Sequence, residues 1–441
     1  MDNCYHFSFS RIGNIKIKIK IKQILKFKEL SFLVYGLGLT GQSVVKFFKR
    51  KNIKNFEVWD DKQKNLFKNH RSKNLNKTLK NVDYIILAPG ISLIKKKNLE
   101  KFRKKIITDI DIFFLAYKNL KSIVVTGTNG KSTTSKLIYH LLKKKNFKCL
   151  LGGNIGTPVL DLKLSNSNFV IIEASSFQLS HSKFICPNYA LFLNLKNDHL
   201  DWHGNMKNYL NSKLKIFNLQ TRKHFAIINK DFRKTYIKRK FSGKLVIPKQ
   251  KIYEKIKPLI KNQYLASNIN AENMCFVHAF AKLLKISDIS FINVMKSFKG
   301  LPHRYEIFLK KNNLIFINDS KATSFTSTHL ALSSLKNIYW ILGGLPKKGD
   351  KINFSKYKKN ILKCYLIGKN INFFKSKIKG KLPYSITKNL KNSVIEILKD
   401  CKHLQNKEAA ILLSPAAASF DQFKNFEERG NEFRRLCNRY A

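Results

Sequence analysis

The chain has 441 residues, enough at about 150 residues per domain for roughly three domains with cores of their own, which excludes a small disulfide-stapled fold. Hydrophobic residues make up 44% and charged residues 25%, and no run approaches the ~18 apolar residues of a membrane helix, so a disordered tail, a collagen-like chain and membrane insertion are not expected. The formal net charge of +58 suggests a polyanion partner, but lysine far outnumbers arginine, is spread through every segment and comes with the Asn, Ile and Phe of A/T-rich codons, so genome composition accounts for it and no nucleic-acid partner is expected.

The N-terminus lacks the basic, apolar and small-residue pattern of a secretory signal. The seven cysteines are scattered without a CxxC pair, which argues for reduced thiols, against structural zinc and for a cytoplasmic location. Ile15 to Lys22 alternate Ile and Lys with no turn chemistry around them, so residues 1–24 read as an extension without a motif.

From Ser31 the pattern becomes regular. Apolar runs at Phe32–Tyr35, Phe56–Trp59 and Tyr84–Leu87, with a helix-like stretch Gln42–Arg50 between the first two, predict a βαβ sheet domain. A second block has runs at Ser122–Thr126, Phe169–Ile172, Tyr189–Leu193 and Phe225–Ile228, and helical segments Thr133–Lys144, Asn208–Leu219 and Ala271–Leu284. A third has runs at Leu314–Ile317, Ile338–Leu342, Tyr365–Ile367 and Ala409–Leu413 and closes with a polar helix from Phe426. The expected fold class is α/β in three domains: a Rossmann-like domain over 25–119 after the extension over 1–24, a phosphate-loop ATPase domain over 120–299, and a Rossmann-like domain over 300–441.

Gly127-Thr128-Asn129-Gly130-Lys131-Ser132, followed by Thr133, lies between a β-branched run and an amphipathic helix. Glycines at a helix start aim successive N–H groups at one spot, Lys131 adds a mobile positive charge for β/γ-phosphates, and Ser132 offers a hydroxyl to Mg²⁺. Val125 stands where the first glycine of the full GxxxxGK[ST] pattern would be, so the match is partial. Glu173 closes the run Phe169–Ile172 at the carboxyl edge of an expected parallel strand, where ligands gather in open α/β sheets, so after a phosphate loop it reads as a metal ligand. Asp198-His199-Leu200-Asp201-Trp202-His203 follows another run; its oxygen-rich lining and the lack of nearby cysteines suit Mg²⁺ better than zinc. Gly36-Leu37-Gly38-Leu39-Thr40-Gly41, with Asp60 and Asp61 about 20 residues on, has dinucleotide-fingerprint form, which would serve any nucleotide diphosphate or be structural glycine alone.

Taken with Gly152-Gly153-Asn154-Ile155-Gly156, EASSFQL at Glu173–Leu179, Gly300-Leu301-Pro302-His303-Arg304, Asn318-Asp319-Ser320-Lys321-Ala322-Thr323 and LSPAAASFDQF at Leu413–Phe423, the chain resembles the Mur ligases from about residue 25 to its end. Its C-terminal segment is similar to the branch that adds D-glutamate. The resemblance implies an enzyme that uses ATP and Mg²⁺ to phosphorylate the terminal carboxylate of UDP-MurNAc-L-Ala, whose acyl phosphate the amine of D-glutamate then attacks, in peptidoglycan precursor synthesis. It implies that Gly127 to Thr133, with Lys131, hold the phosphates, and that Asn270, Asn273, Arg304 and Asp319 contact ATP. Ser132 and Glu173 would hold one Mg²⁺, and Glu173, His199 and Lys213, the last as a carbamate, a second. Thr40, Asp61, Asn154 and His199 would face the UDP substrate, and Lys321, Thr323, Lys347, Ser419 and Phe426 the D-glutamate; Lys131, His199, Lys213 and Lys321 would be the catalytic set. A monomer acting on small molecules is expected.

Some positions depart from the family pattern. Ile269 stands where a histidine is common and Ser267 where a glycine is common; Ala88 replaces a frequent serine, and Gly343-Gly344-Leu345-Pro346-Lys347 lacks an acidic residue frequent in relatives while keeping the lysine. The alternative within the fold is another ATP-dependent amide ligase, such as a folylpolyglutamate synthase or a different Mur ligase; from another class, it is a phosphate-loop NTPase acting on nucleic acid.

Overall fold

A computed structural model describes residues 27–117, 120–164, 169–266, 268–347, 350, 352–402 and 408–441. The extension over 1–24, with its Ile/Lys alternation, and Ser267 lie outside the described residues. The chain forms two compact units: residues through Lys255 with Asn273–Val294, and Ile256–Glu272 with Met295–Ala441.

The first unit contains two parallel sheets. One is ordered β2-β1-β3-β4, from β1 (Phe32–Tyr35), β2 (Phe56–Trp59), β3 (Tyr84–Leu87) and β4 (Ile106–Ile107). Strand β1 is buried along its whole length, as a parallel strand covered on both faces must be, which is why it reads as an unbroken apolar run. The second sheet is ordered β10-β9-β8-β5-β7-β6, from β5 (Lys121–Thr126), β6 (Cys149–Gly153), β7 (Phe169–Glu173), β8 (Tyr189–Phe192), β9 (Phe225–Ile228) and β10 (Lys244–Val246). Central strand β5 pairs in parallel with β7 and β8, so the loops after these three strands share one edge of the sheet, the edge at which open α/β sheets bind ligands.

The helix Asp109–Ala116 ties the two sheets of this unit together. Asp111 accepts from the backbone N–H groups of Thr108 (2.9 Å), Lys183 (2.9 Å) and Phe184 (2.7 Å), and Asp109 accepts from Gln178 Nε2 at 3.3 Å. Both carboxylates are buried, and the apolar side chains around them belong to one core that runs from Phe32 through Phe113 to Val170 and Phe192.

The second unit is built on a sheet ordered β11-β12-β17-β13-β15-β16, with β11 (Glu306–Lys311) antiparallel at one edge. The rest run parallel: β12 (Leu314–Asn318), β13 (Ile338–Gly343), β15 (Ile361–Ile367), β16 (Tyr384–Lys388) and β17 (Ala409–Leu413). A two-stranded ribbon, β14 (Leu345–Pro346) with β18 (Ala417–Ala418), sits beyond the ends of β13 and β17.

Several helices start earlier than periodicity predicts, because a first turn with one apolar residue or none carries too little signal to mark the start. The helix expected over Gln42–Arg50 begins at Leu39, and the one over Thr133–Lys144 at Lys131. The helix expected over Asn208–Leu219 runs Met206–Leu214 and tightens into a 3₁₀ turn at Lys215–Phe217. Its start is set by Asn205, whose side chain accepts from Asn208 N–H.

Candidate active site

In the first unit the loop after β5 turns sharply at Gly130, whose φ of 82° is left-handed, and a Cβ there would lie 2.0 Å from Asn273 Oδ1. Only glycine fits. The turn starts the helix Lys131–Lys144, with Ser132 and Thr133 buried in its first turn. The loop is held from β8: Asn194 Oδ1 accepts from Asn129 N–H (2.9 Å), and Thr128 N–H donates to the Asn194 carbonyl (3.0 Å).

Two lysines meet over this loop. Lys131 Nζ donates to the carbonyls of Gly127 (3.0 Å) and Thr128 (2.9 Å), and Lys213 Nζ donates to the Gly127 carbonyl at 2.8 Å. Lys213 is 1% exposed and lies 4.6 Å from the centre of the Tyr209 ring, while Tyr209 OH is 3.1 Å from Thr128 Oγ1. The four-residue spacing of Tyr209 and Lys213 thus puts both against the loop. Burial, and then the ammonium of Lys131, hold the Lys213 amine well below the usual lysine range.

Glu173 ends β7 and is buried. Its Oε1 accepts from Asn154 Nδ2 (2.8 Å), whereas buried Oε2 has no hydrogen-bond partner among the described residues. An orphaned carboxylate oxygen beside a phosphate-type loop fits a cation ligand. His199 takes a left-handed φ of 54° and packs its ring 4.7 Å from Phe177. Burial, then Lys131 and Lys213, push its imidazole down to about 4, so it is neutral near pH 7, the form that can ligate a metal. Among the described residues no three His, Cys, Asp or Glu side chains group to hold a metal; a cation here would need the hydroxyl of Ser132 and a modified Lys213 besides Glu173 and His199.

On the first sheet, Asp60 and Asp61 do different work. Asp60 accepts from the backbone N–H groups of Leu37 (2.7 Å), Lys62 and Gln63 (both 2.8 Å). Burial opposes its ionisation, but those bonds hold the carboxyl below the usual range, and Asp60 acts as the brace of the glycine turn. Asp61 accepts from Tyr35 OH (3.0 Å) and Trp59 Nε1 (3.1 Å) and pairs with Lys96 (2.9 Å). Thr40 is half-buried at the second position of the helix Leu39–Arg50. A Cβ on Gly41 would stand 1.9 Å from the Gly36 carbonyl oxygen, so that glycine is required by close packing whatever binds.

In the second unit, Asp319 follows β12 and accepts from Ser414 Oγ (2.7 Å) and Tyr305 N–H (3.1 Å). Burial pushes its carboxyl up to about 7, against the pull of those bonds and of nearby Arg304. Lys321 Nζ lies 3.8 Å over the Phe426 ring. Ser419 is buried just past β18, and Thr323 is half-buried. Burial lowers the Lys347 amine, with Asp350 opposing. Asn270 Nδ2 donates to the Tyr264 carbonyl at 2.8 Å.

The structure therefore brings Gly127–Thr133, Asn154, Glu173, His199, Lys213 and Asn273 around the edge of one sheet, and Arg304, Asp319, Lys321, Ser419 and Phe426 around the edge of another. Sequence reasoning missed Asn194, Ser414 and Arg429; it placed His203 in the Asp198–His203 cluster as a metal-ligand candidate, and in the structure the His203 Nε2 lies 3.0 Å from Ser176 Oγ. The signal for Asn194 and Ser414 is a polar residue directly after an apolar run.

Two family descriptions match the chain: "Mur ligase middle domain" over residues 125–280 and "Mur ligase MurD-like, N-terminal domain" over residues 30–110. A UDP-N-acetylmuramoylalanine–D-glutamate ligase of Rickettsia prowazekii is 35% identical over 443 residues, covering 94% of this chain and 99% of the relative. One from Buchnera aphidicola subsp. Schizaphis graminum is 35% identical over 443 residues, covering 92% and 97%. Among solved structures, the UDP-N-acetylmuramate-alanine ligase MurC of Thermotoga maritima aligns with a TM-score of 0.54 at 17% identity, covering 93% of this chain and 99% of that one. The MurF ligase of Thermotoga maritima in complex with ADP aligns with a TM-score of 0.54 at 14% identity, covering 94% and 97%. At these identities the two structures speak to the fold.

Proposed function

This chain belongs to the Mur ligase family, and from that premise we propose that it is an ATP-dependent ligase that joins D-glutamate to UDP-MurNAc-L-Ala. The observation that carries the reading is the pair of lysines on the Gly127 carbonyl, at the mouth of a glycine turn and beside an orphaned buried carboxylate oxygen. The near full-length likeness to D-glutamate ligases supplies the substrates.

A carboxylate has no leaving group that an amine can displace, so the reaction first makes one. The terminal carboxylate oxygen attacks the γ-phosphorus of ATP and ADP leaves; the amine of D-glutamate then attacks the acyl phosphate, phosphate departs and the amine proton is lost. Lys131 and the N–H groups of Gly130 to Thr133 would hold the phosphates, with Gly127 to Asn129 completing the loop and the Thr128 and Asn129 N–H groups tying it to Asn194; the lysine would swing from its contacts with the Gly127 and Thr128 carbonyls onto the charge that develops in the transition state. Ser132 with Glu173 would hold one Mg²⁺, and Glu173, His199 and Lys213 a second, to screen the repulsion between the phosphates and the attacking carboxylate.

Lys213 as an ammonium could not ligate a cation, having neither negative charge nor lone pair. Its burial and lowered pKa favour the neutral amine, which adds to CO₂ with loss of a proton to give a carbamate, an anionic oxygen donor of the kind Mg²⁺ prefers. Asn270, Asn273, Arg304 and Asp319 would take the rest of ATP. Thr40, Asp61 and Asn154 would face the UDP substrate, and Lys321, Thr323, Lys347, Ser419 and Phe426 the D-glutamate.

The test is phosphate release with each substrate left out in turn. Release should need ATP, UDP-MurNAc-L-Ala and D-glutamate together, and release without the UDP substrate would contradict the reading. A different Mur activity would appear as turnover with another amino acid, and a folylpolyglutamate-type activity as phosphate release with a folate in place of the UDP substrate.

A further inference from the structure

Arg429 lies in the helix Phe426–Tyr440 and is 1% exposed. Its Nε donates to Ser320 Oγ (3.0 Å), and Nη2 donates to the carbonyls of Ser320 (2.8 Å) and Ala417 (3.0 Å). Nη1 is buried with no hydrogen-bond partner among the described residues, and a Cβ on Gly344 would stand 3.3 Å from it. Every acceptor is neutral. Asp421 acts on the guanidinium from a distance, opposing the burial that lowers its pKa to about 10, so Arg429 stays charged at neutral pH.

The partners of Arg429 are not scattered. Ser320 precedes Lys321, and its hydroxyl also donates to the Phe426 carbonyl (2.8 Å); Ala417 begins β18, which leads into Ser419. One fork-shaped cation therefore ties together the three segments that carry Lys321, Ser419 and Phe426. The helix can deliver it there because Gly430 lets the backbone approach β12: a Cβ at 430 would be 2.2 Å from His303 Nδ1, and Asn318 Nδ2 donates to the Gly430 carbonyl at 3.1 Å. A buried cation bonded only to neutral groups is costly to keep, and removing it from a purely structural niche would be the simpler design. Its position beside the proposed subsite for a dicarboxylic amino acid is explained if negative charge beyond that of distant Asp421 arrives with the substrate.

We propose that Arg429 is a positioning and specificity-determining residue for the amino-acid substrate, holding the segments of Lys321, Ser419 and Phe426 in register and supplying a positive charge with no carboxylate hydrogen-bonded to it, which favours a dicarboxylic amino acid over its neutral amide. This inference rests on the D-glutamate reading given above. A lysine at the position would keep the charge but lose the fork, and a methionine would lose both.

The experiment compares kcat/KM for D-glutamate and D-glutamine in the full-length wild type, Arg429→Lys and Arg429→Met, with ATP KM and melting temperature measured alongside. In Arg429→Met the preference for D-glutamate should fall roughly tenfold or more while the ATP KM stays within about twofold. In Arg429→Lys the D-glutamate KM should rise while the preference is kept. A purely structural role would lower both amino acids in proportion, so an unchanged preference in a folded Arg429→Met overturns the proposal. Should that variant not fold, Arg429→Gln, which keeps hydrogen-bonding atoms in place but removes the charge, is read in the same way: a fallen preference for D-glutamate supports the proposal, and an unchanged preference overturns it. Wild-type enzyme that turns over with neither amino acid would instead bring down the D-glutamate reading, and this inference with it.

Discussion

Lys131 Nζ and Lys213 Nζ donate to the same carbonyl oxygen, that of Gly127, at 3.0 and 2.8 Å. Two ammonium groups on one acceptor repel each other, and the more deeply buried of the two, Lys213, is the one pushed toward neutrality. Replacing Lys213 by Ala should therefore lower turnover on the order of 100-fold or more, the scale of a lost transition-state contact. Added short carboxylic acids, which restore an anionic oxygen in the emptied space, should recover part of it. Wild-type turnover in the unrescued variant would refute the carbamate, as would an unmodified amine in a Mg²⁺-loaded crystal.

Gly130→Ala should damage nucleotide use and stability together. Its left-handed φ alone costs a residue with a Cβ about 1 to 2 kcal/mol, and the new methyl would overlap Asn273 Oδ1. The check is the ATP KM and the denaturation midpoint: the first should rise and the second should fall, and no change in either would mean that the turn is not as described.

The tie between the first unit's two sheets predicts a pH effect. Burial pushes the Asp109 carboxyl from 3.8 up to about 6, with Asp111 adding to the rise and Gln178 opposing it. Between these values the folded chain holds a proton that the unfolded chain has released. The stability this supplies is full below about pH 4 and gone above about pH 6, on the order of 3 kcal/mol at 1.36 kcal/mol per pKa unit. Asp109→Asn removes the titration, so denaturant unfolding of variant and wild type at pH 4.5 and pH 7.5, values chosen to bracket about pH 6, should show the variant gaining relative stability at the higher pH. A difference that does not vary with pH would contradict the assignment.

Gly430→Ala sets two effects against each other. Alanine is better than glycine in a helix interior by about 1 kcal/mol, but here it would press on His303 Nδ1 and Asn318 Oδ1, and overpacking of this kind costs about 1 to 3 kcal/mol. Net destabilisation is expected, read as a lower melting temperature.

Much of the fold is legible in the sequence because interior parallel strands are apolar along their length. Phe32–Tyr35, Tyr84–Leu87, Phe225–Ile228 and Ala409–Leu413 fall where the apolar runs place them. The strands that escape are mostly at sheet edges: β4, β6, β10, β11 and β16. An edge strand is covered less completely and needs less apolar surface, so β16 reads Tyr-Ser-Ile-Thr-Lys and β6 ends in two glycines. The phosphate loop and Glu173 are legible because chemistry restricts their residue types. Arg429 is not, since a charged residue in a polar helix looks solvated; the one hint is Gly430 beside it, a glycine that the helix would otherwise avoid.

The most direct measurement is the mass of the product formed from ATP and UDP-MurNAc-L-Ala when D-glutamate, L-glutamate, L-lysine and glycine are offered together. The D-glutamate reading predicts a single ligated product, heavier than the UDP substrate by one glutamate residue, that forms with D-glutamate alone and not with L-glutamate alone. Ligation of a different amino acid, or ATP consumption with no ligated product, would contradict it.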